Sequence, residues 1–420
     1  MAHHDFERRL PIPGRGAVAL PELAGTLSVR DRDLADAERD FGGHVHRRPL
    51  AVAFPATAVD VAALVKFGRT HRIPVVARGG GNSVDGQALV SAGIVIDMST
   101  LGGVRPFGPD RISVDAGARW RAVVDATLRT GTVPPVLPDY LELSVGGLLS
   151  TGGFGGASHR FGSQADNVHD LDVVTPDGEL VTCSPTGNAD LFDAVRGTQG
   201  RHGIITRATV ALTRAPSTVR RHRLTYHDLG AYLGDQRRLV DELRFEHVDG
   251  QAQYADGRWR FVLEAVSPQS PPIDDLRHDS AEIFEVTYRE FVDRLRPIEA
   301  QLRSAGSWYH PHPRANVLLP GAQAEKVLGD ALADLTPELL GVGGSVLLYL
   351  FPTARVAAPH VPKARDPYTV LFGVQRTAPP GDLATLRRMR EANAALHATA
   401  RRLGGASYAY PLAATDAQAA

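Results

Sequence analysis

Two stretches of this chain combine glycine with small polar side chains. The first is Arg78-Gly79-Gly80-Gly81-Asn82-Ser83, followed by Gly86 and Gln87; the second runs from Ser144 through Gly146, Gly147 and Ser150 to Phe154 and Gly156. Glycine lets the main chain approach a ligand and leaves N–H groups free to form an anion nest. Read as turns that each follow a strand, the two patches suit a phosphorylated ligand; the plainer alternative is tight turns and close packing. The dinucleotide fingerprint GxGxxG is not met, because Val84 stands where the third glycine would fall after Gly79 and Gly81. A phosphate-binding P-loop is also excluded, since none of Lys66, Lys326 and Lys363 follows a glycine. The sequence has no GxSxG elbow, HExxH helix or EF-hand loop.

Other polar residues stand out singly. Asp139 follows Pro138, a setting in which aspartate often bonds its own backbone in a turn. Glu264 sits in the apolar run Phe261-Val262-Leu263-Glu264-Ala265-Val266. Strand alternation sends Phe261, Leu263 and Ala265 one way and Val262 with Glu264 the other, onto a solvated face or a pocket wall. Trp308, His310, His312 and Asn316 share the stretch SWYHPHPRAN. Trp308 suits stacking on a planar substrate, or equally the core of a second domain. Two histidines with no third ligand nearby are a weak metal signal, and no metal is expected.

The elements that position these residues alternate between helix and strand. Thr57 and Asp60 form a capping-box pair opening a helical run from Val59 to Phe67. Strands are expected at Ile73–Ala77, Ile94–Met98 and Ile112–Ala116, and a helix at Arg119–Arg129 with Gly131 as terminator. Pro176-Asp177-Gly178 turns a hairpin between Val168–Thr175 and Leu180–Cys183, and a helix at Ala189–Arg196 leads to a strand at Ile204–Leu212. β-α-β and hairpin units together indicate an α+β domain. Composition changes near Pro216, where arginine becomes dense and the long glycine loops stop. The expected division is 1–215 for the first domain, with two α+β subdomains, and 216–420 for the second, with strands at Trp259–Val266, Val346–Phe351 and Tyr368–Val374.

The 420 residues include 46 basic and 47 acidic side chains, a formal net charge of -1, which gives no electrostatic case for nucleic acid or an anionic membrane surface. The single cysteine, Cys183, excludes an internal disulfide and any CxxC pair. The N-terminus lacks the apolar core of a signal peptide, and no run approaches the ~18 apolar residues of a membrane span. A cytoplasmic protein is expected.

Taken in order, RGGGNS…GQA…VIDM, VDAGARWRAVVDATLRTG, PDYLELSVGGLLS, RFGSQADNVHDLDVVTPDGELVTCS and NADLFDAVRGTQGRHGIITRATV resemble the vanillyl-alcohol-oxidase-like FAD proteins with a PCMH-type flavin domain, and within them the cytokinin dehydrogenases. The resemblance is strong over residues 50–215 and weaker over 216–410, where SWYHPHPRAN is the best landmark. It implies a PCMH-type FAD-binding domain plus a cytokinin-dehydrogenase-like α/β substrate domain. Gly79, Gly80, Gly81, Asn82, Ser83 and Gln87 would hold the FAD, with Ser144, Gly146, Gly147, Ser150 and Phe154 on the opposite wall. Asp139, Tyr140, Ile204 and Tyr410 would also touch it.

The resemblance further makes Asp139 the catalytic base and Glu264 a holder of the substrate's polar ring, with Trp308 and Asn316 as substrate contacts. The implied reaction is oxidation of a C–N bond in a secondary amine by hydride transfer to flavin, with oxygen or a quinone-like acceptor. Alternatives are a tailoring oxidase or dehydrogenase acting on an alcohol or a ring carbon, and a non-catalytic FAD-binding protein. Two departures matter. Asn82 stands where the cytokinin dehydrogenases carry a flavin-linking histidine, and Tyr140 where a doubly linked branch has cysteine, so dissociable FAD is expected. The sequence also stops soon after Tyr408 and Tyr410, where relatives continue in a segment returning to the flavin domain.

Overall fold

The computed structural model describes residues 9–408 apart from Pro13 and Arg15. The chain divides into two compact units: Met1–Val123 with Glu142–Ser150 and Val168–Val210, and Val124–Leu141 with Thr151–Asn167 and Ala211–Ala420.

The first unit carries two larger sheets beside a two-stranded one of Arg9–Ile12 and Gly16–Ala19. One has four strands, β1 (Thr26–Ser28), β2 (Ala51–Phe54), β3 (Val75–Arg78) and β4 (Ile94–Asp97), in the order β1-β2-β4-β3. β4 runs parallel to both β2 and β3. Parallel strands need a crossover, and α1 (Ala58–His71) supplies it from β2 to β3, which flank β4. The expected capping box is present: Thr57 accepts from the Asp60 amide and Asp60 from the Thr57 amide. The Asp60 carboxylate also takes the amides of Ala24, Gly25 and Ala56. Although burial pushes its pKa up, these four amides hold it below the ordinary value.

The other sheet contains β5 (Val104–Pro106), β6 (Arg111–Asp115), β7 (Val168–Val174), β8 (Leu180–Cys183) and β9 (Ile204–Ala211), in the order β8-β7-β9-β6-β5. The β7–β8 hairpin is antiparallel, as its turn requires. After β6 comes α2 (Trp120–Thr127), a short 3₁₀ turn, and Gly131 in the left-handed conformation expected of a terminator. One expectation is corrected here. The second glycine patch is not a turn after a strand: Val145–Thr151 is a helix, α3. Gly146 is glycine because Ala116 packs against this helix; an added Cβ would sit 2.7 Å from the Ala116 methyl.

In the second unit, α4 (Leu229–Asp241), α6 (Gly321–Asp334) and α8 (Leu383–Arg402) accompany an eight-stranded sheet. α5 (Tyr288–Val292) and α7 (Pro337–Leu340) are short. The strands are β10 (Thr218–Tyr226), β11 (His247–Ala255), β12 (Arg258–Ser267), β13 (Ser280–Thr287), β14 (Ala315–Pro320), β15 (Ser345–Pro352), β16 (Tyr368–Gln375) and β17 (Ala406–Ser407), ordered β13-β10-β12-β11-β15-β16-β14-β17. Phe261, Leu263 and Ala265 enter the core with Tyr232, Leu328 and Phe372. Glu264 therefore faces the other side, as the alternation requires. Among the described residues no helix is long and apolar enough to cross a membrane.

Candidate active site

In the first unit, β3 delivers the first glycine loop, and the start of the second patch docks on the β6–α2 connection. The Leu143 carbonyl accepts from the Trp120 amide, and the Val145 and Gly146 amides donate to Ala118 and Ala116. This docking sets the Ser144 side chain directly against Gly79, where a Cβ would lie 2.0 Å from the Ser144 Oγ and only glycine fits. Gly147 approaches the same hydroxyl. The two patches, far apart in sequence, thus close on each other.

The first loop is held from behind. Asp40 accepts from the Ser83 hydroxyl (3.0 Å) and the Gly86 amide (2.7 Å), while Gly81 and Ser83 carbonyls accept from Phe41 and Gly42 amides. Burial pushes the Asp40 carboxyl above its ordinary pKa. Gln87 turns its side-chain carbonyl onto the Asp85 amide. Among the described residues, the consecutive amides of Gly80, Gly81, Asn82 and Ser83 donate no hydrogen bond. Four unengaged N–H groups on a loop too narrow for side chains fit a diphosphate-linked ligand. Ser150 spends its hydroxyl on the Gly146 carbonyl (2.7 Å), and Ile204 opens β9, half-buried. Replacing Gly79 by valine is expected to force the loops apart and leave purified protein without visible flavin absorbance; a variant as yellow as the parent would show that the loops do not grip FAD.

In the second unit the acidic residues gather around one guanidinium. Arg294, just beyond α5, donates to Asp139 Oδ1 (2.5 Å) and Asp249 Oδ2 (3.1 Å), and its Nε lies 3.8 Å from Glu264. The Tyr349 hydroxyl from β15 donates to Asp139 Oδ2. His247 Nε2 is 2.7 Å from Asp249, and Arg221 grips Glu264 through two bonds of 3.0 and 2.9 Å. Register explains part of this grouping, since Asp249 on β11 stands opposite Glu264 on β12.

Burial, aided by the Asp249 charge, raises the pKa of Asp139 against the pull of Arg294. Asp249 is also buried, but His247 and Arg294 hold it below the ordinary value. The two carboxylates are thus pushed apart, Asp139 toward accepting a proton and Asp249 toward staying charged. Asp139, His247 and Asp249 lie close enough together to suggest a metal site, but the Arg294 guanidinium already bonds one oxygen of each carboxylate. A cavity of about 690 Å³ reaches Asp139, His247 and Arg294, with walls that include Pro134, Pro138, Phe291 and Tyr288.

The SWYHPHPRAN stretch lies partly beside this cluster. The Trp308 ring is 5.8 Å from that of Tyr140 and is covered on one face by Arg303. His312 is buried, contacts the Trp308 carbonyl and Thr377, and is driven down to a pKa of about 4 by burial. Asn316 lies on β14, where its side chain accepts from Gln375 (2.8 Å) and its carbonyl from the Tyr408 amide (2.9 Å). Phe154 packs between Phe351 and Tyr408. Tyr410 lies outside the described residues. Arg294, Asp249, His247, Tyr349 and Arg221 escaped sequence reasoning; only the unusual density of arginine after Pro216 hinted at ion pairing. Arg314 was also missed, a guanidinium whose pKa burial lowers to about 10.

These loops and this acidic cluster define a PCMH-type FAD oxidoreductase. A family model described as an FAD binding domain matches residues 49–184, and one described as "Cytokinin dehydrogenase 1, FAD and cytokinin binding" matches 272–393. Cytokinin dehydrogenase 5 of Oryza sativa subsp. japonica is 36% identical over 77% of this chain and 71% of its own length. The uncharacterized oxidoreductase ORF5 in the fasciation locus of Rhodococcoides fascians is 38% identical over 92% of this chain and 90% of its own. The chain belongs to the cytokinin dehydrogenase family of FAD-dependent oxidoreductases, which sets aside the non-catalytic alternative. Crystalline 6-hydroxy-D-nicotine oxidase from Arthrobacter nicotinovorans shares the fold, with a TM-score of 0.70 at 22% identity over 93% of this chain and 88% of that one.

Proposed function

We propose that this enzyme oxidises the C–N bond of a secondary amine of the cytokinin type, with Asp139 as the base. The observation that carries the reading is the half-buried Asp139 carboxylate, raised in pKa and oriented by Arg294 and Tyr349. FAD, when bound, accepts the hydride from the substrate's α-carbon. Asp139 holds and removes the amine N–H proton, which makes that carbon a better hydride donor. Arg294 and the Tyr349 hydroxyl fix both carboxylate oxygens, so the base meets the substrate in one orientation. Asp249, kept ionised, balances the Arg294 charge, and Glu264 lies one guanidinium further out. The cavity at Asp139 gives its proton a way to solvent. The imine that remains adds water and separates into adenine and an aldehyde.

Anaerobic mixing of the holoenzyme with isopentenyladenine tests this reading: the flavin colour is expected to bleach. Bleaching only by alcohols, or by substrates oxidised at a ring carbon, would replace the amine reading with that of a tailoring enzyme. The reading extends to the cofactor's attachment. The carboxamide of Asn82 is no nucleophile toward the flavin, so the FAD is held without a covalent bond. Acid precipitation of the holoenzyme is expected to leave the yellow colour in the supernatant; colour in the pellet would overturn this. The first 215 residues are taken to hold the FAD and residues 216–420 the substrate, with oxygen or a quinone-like compound as final acceptor.

A further inference from the structure

On the second unit, α6 and α8 leave between them a cavity of about 400 Å³, floored by β16 and separate from the Asp139 cluster. This volume is in the range of about 300–1,000 Å³ typical of small-molecule sites. Its floor follows from strand alternation: Phe372, Val374 and Arg376 point the same way from β16 and its end. Val327, Leu396 and Leu403 add apolar wall from the helices. Arg376 stands out among them, only 5% exposed.

Three other largely buried arginines are matched by carboxylates. Arg294 meets Asp139 and Asp249, Arg244 meets Glu242 and Asp275, and Arg196 meets Asp193. Arg376 bonds only neutral acceptors, the Asn393 side chain through Nε (2.9 Å) and the Leu339 carbonyl through Nη1 (2.5 Å). Among the described residues no carboxylate pairs with it, and its Nη2 makes no hydrogen bond. Burial without a counter-charge lowers its pKa to about 10. Lys326, Asp330, Asp334 and Arg402 add charged groups of both signs to the lining, and a buried cation beside its apolar part gains most from an anion that brings its own hydrocarbon.

We propose that this cavity binds an amphiphilic monoanion, a medium-chain or aryl-alkyl carboxylate, whose head group pairs with Arg376 and whose tail lies between α6 and α8. Because the cavity lies outside the Asp139 cluster, this site is independent of the amine substrate.

Calorimetric titration of the holoenzyme with octanoate, against octan-1-ol as the uncharged control, tests it. Octanoate is expected to bind saturably at one site and octanol at least about tenfold more weakly, the size of a charge-assisted hydrogen bond. Arg376→Gln is expected to weaken octanoate by a similar factor and leave octanol unchanged. Arg376 also ties α7 and α8 to the sheet, so a second variant is needed in case this one fails to fold. Ala331→Phe keeps the arginine but fills the cavity, and is expected to abolish octanoate binding while flavin bleaching by substrate stays at the parent rate. Equal binding of octanoate and octanol, no binding of either, or undiminished octanoate binding in Ala331→Phe would each overturn the proposal.

Discussion

Asp139→Asn is expected to slow anaerobic flavin reduction by roughly 10²-fold or more, the usual contribution of a positioned general base. Asparagine is nearly isosteric, and its side-chain oxygen can still accept from Arg294 or Tyr349, so the fold and the flavin content are expected to survive. What it loses is the ability to take a proton. The parent's reduction rate is expected to fall as pH drops through the raised pKa of Asp139, because the protonated acid is no base. In the asparagine variant that acidic limb is expected to vanish along with most of the rate. Stopped-flow reduction across a pH series measures both. An unchanged rate, or an acidic limb that persists, would move the base to another residue.

The second large effect concerns Arg294. Its guanidinium is the shared partner of Asp139 and Asp249, and its side chain is only 13% exposed. Arg294→Met removes the cation and leaves the carboxylates buried together, which is expected to cost about 3–5 kcal/mol of stability at neutral pH. The cost depends on pH in a definite direction. Asp139 is already raised in pKa by burial, so its contribution to stability falls as pH climbs from the ordinary carboxylate range through the folded value. Losing Arg294 removes the main opposing influence and pushes that value higher still. The variant is therefore expected to be closest to the parent in mildly acidic buffer and furthest from it in mildly alkaline buffer. Urea unfolding at the two pH values measures this; a deficit independent of pH would show that Arg294 acts through packing on Phe291 rather than through charge.

Much of the first unit was legible because its signals are local. The Thr57 cap, the Pro176-Asp177-Gly178 turn and Gly131 each act within a few residues of themselves, and each element appears within a few residues of its expected bounds. The second glycine patch misled, because a glycine required by a neighbouring chain looks in sequence like a glycine required by a turn. Gly146 is the case in point: its reason is the Ala116 methyl, thirty positions away.

By itself, then, the sequence determined the family, the glycine loops, the missing flavin-linking histidine and the two faces of the Phe261–Val266 strand, since all of these depend on residue type and short-range periodicity. Only the tertiary structure decided what surrounds Asp139. Tyr349 lies 210 positions from it and Arg294 155, and Asp249 joins them through strand register and a shared cation. Such partners are chosen by which strands pair and in what register, a property of the whole sheet that leaves no mark on the residues beside any one of them.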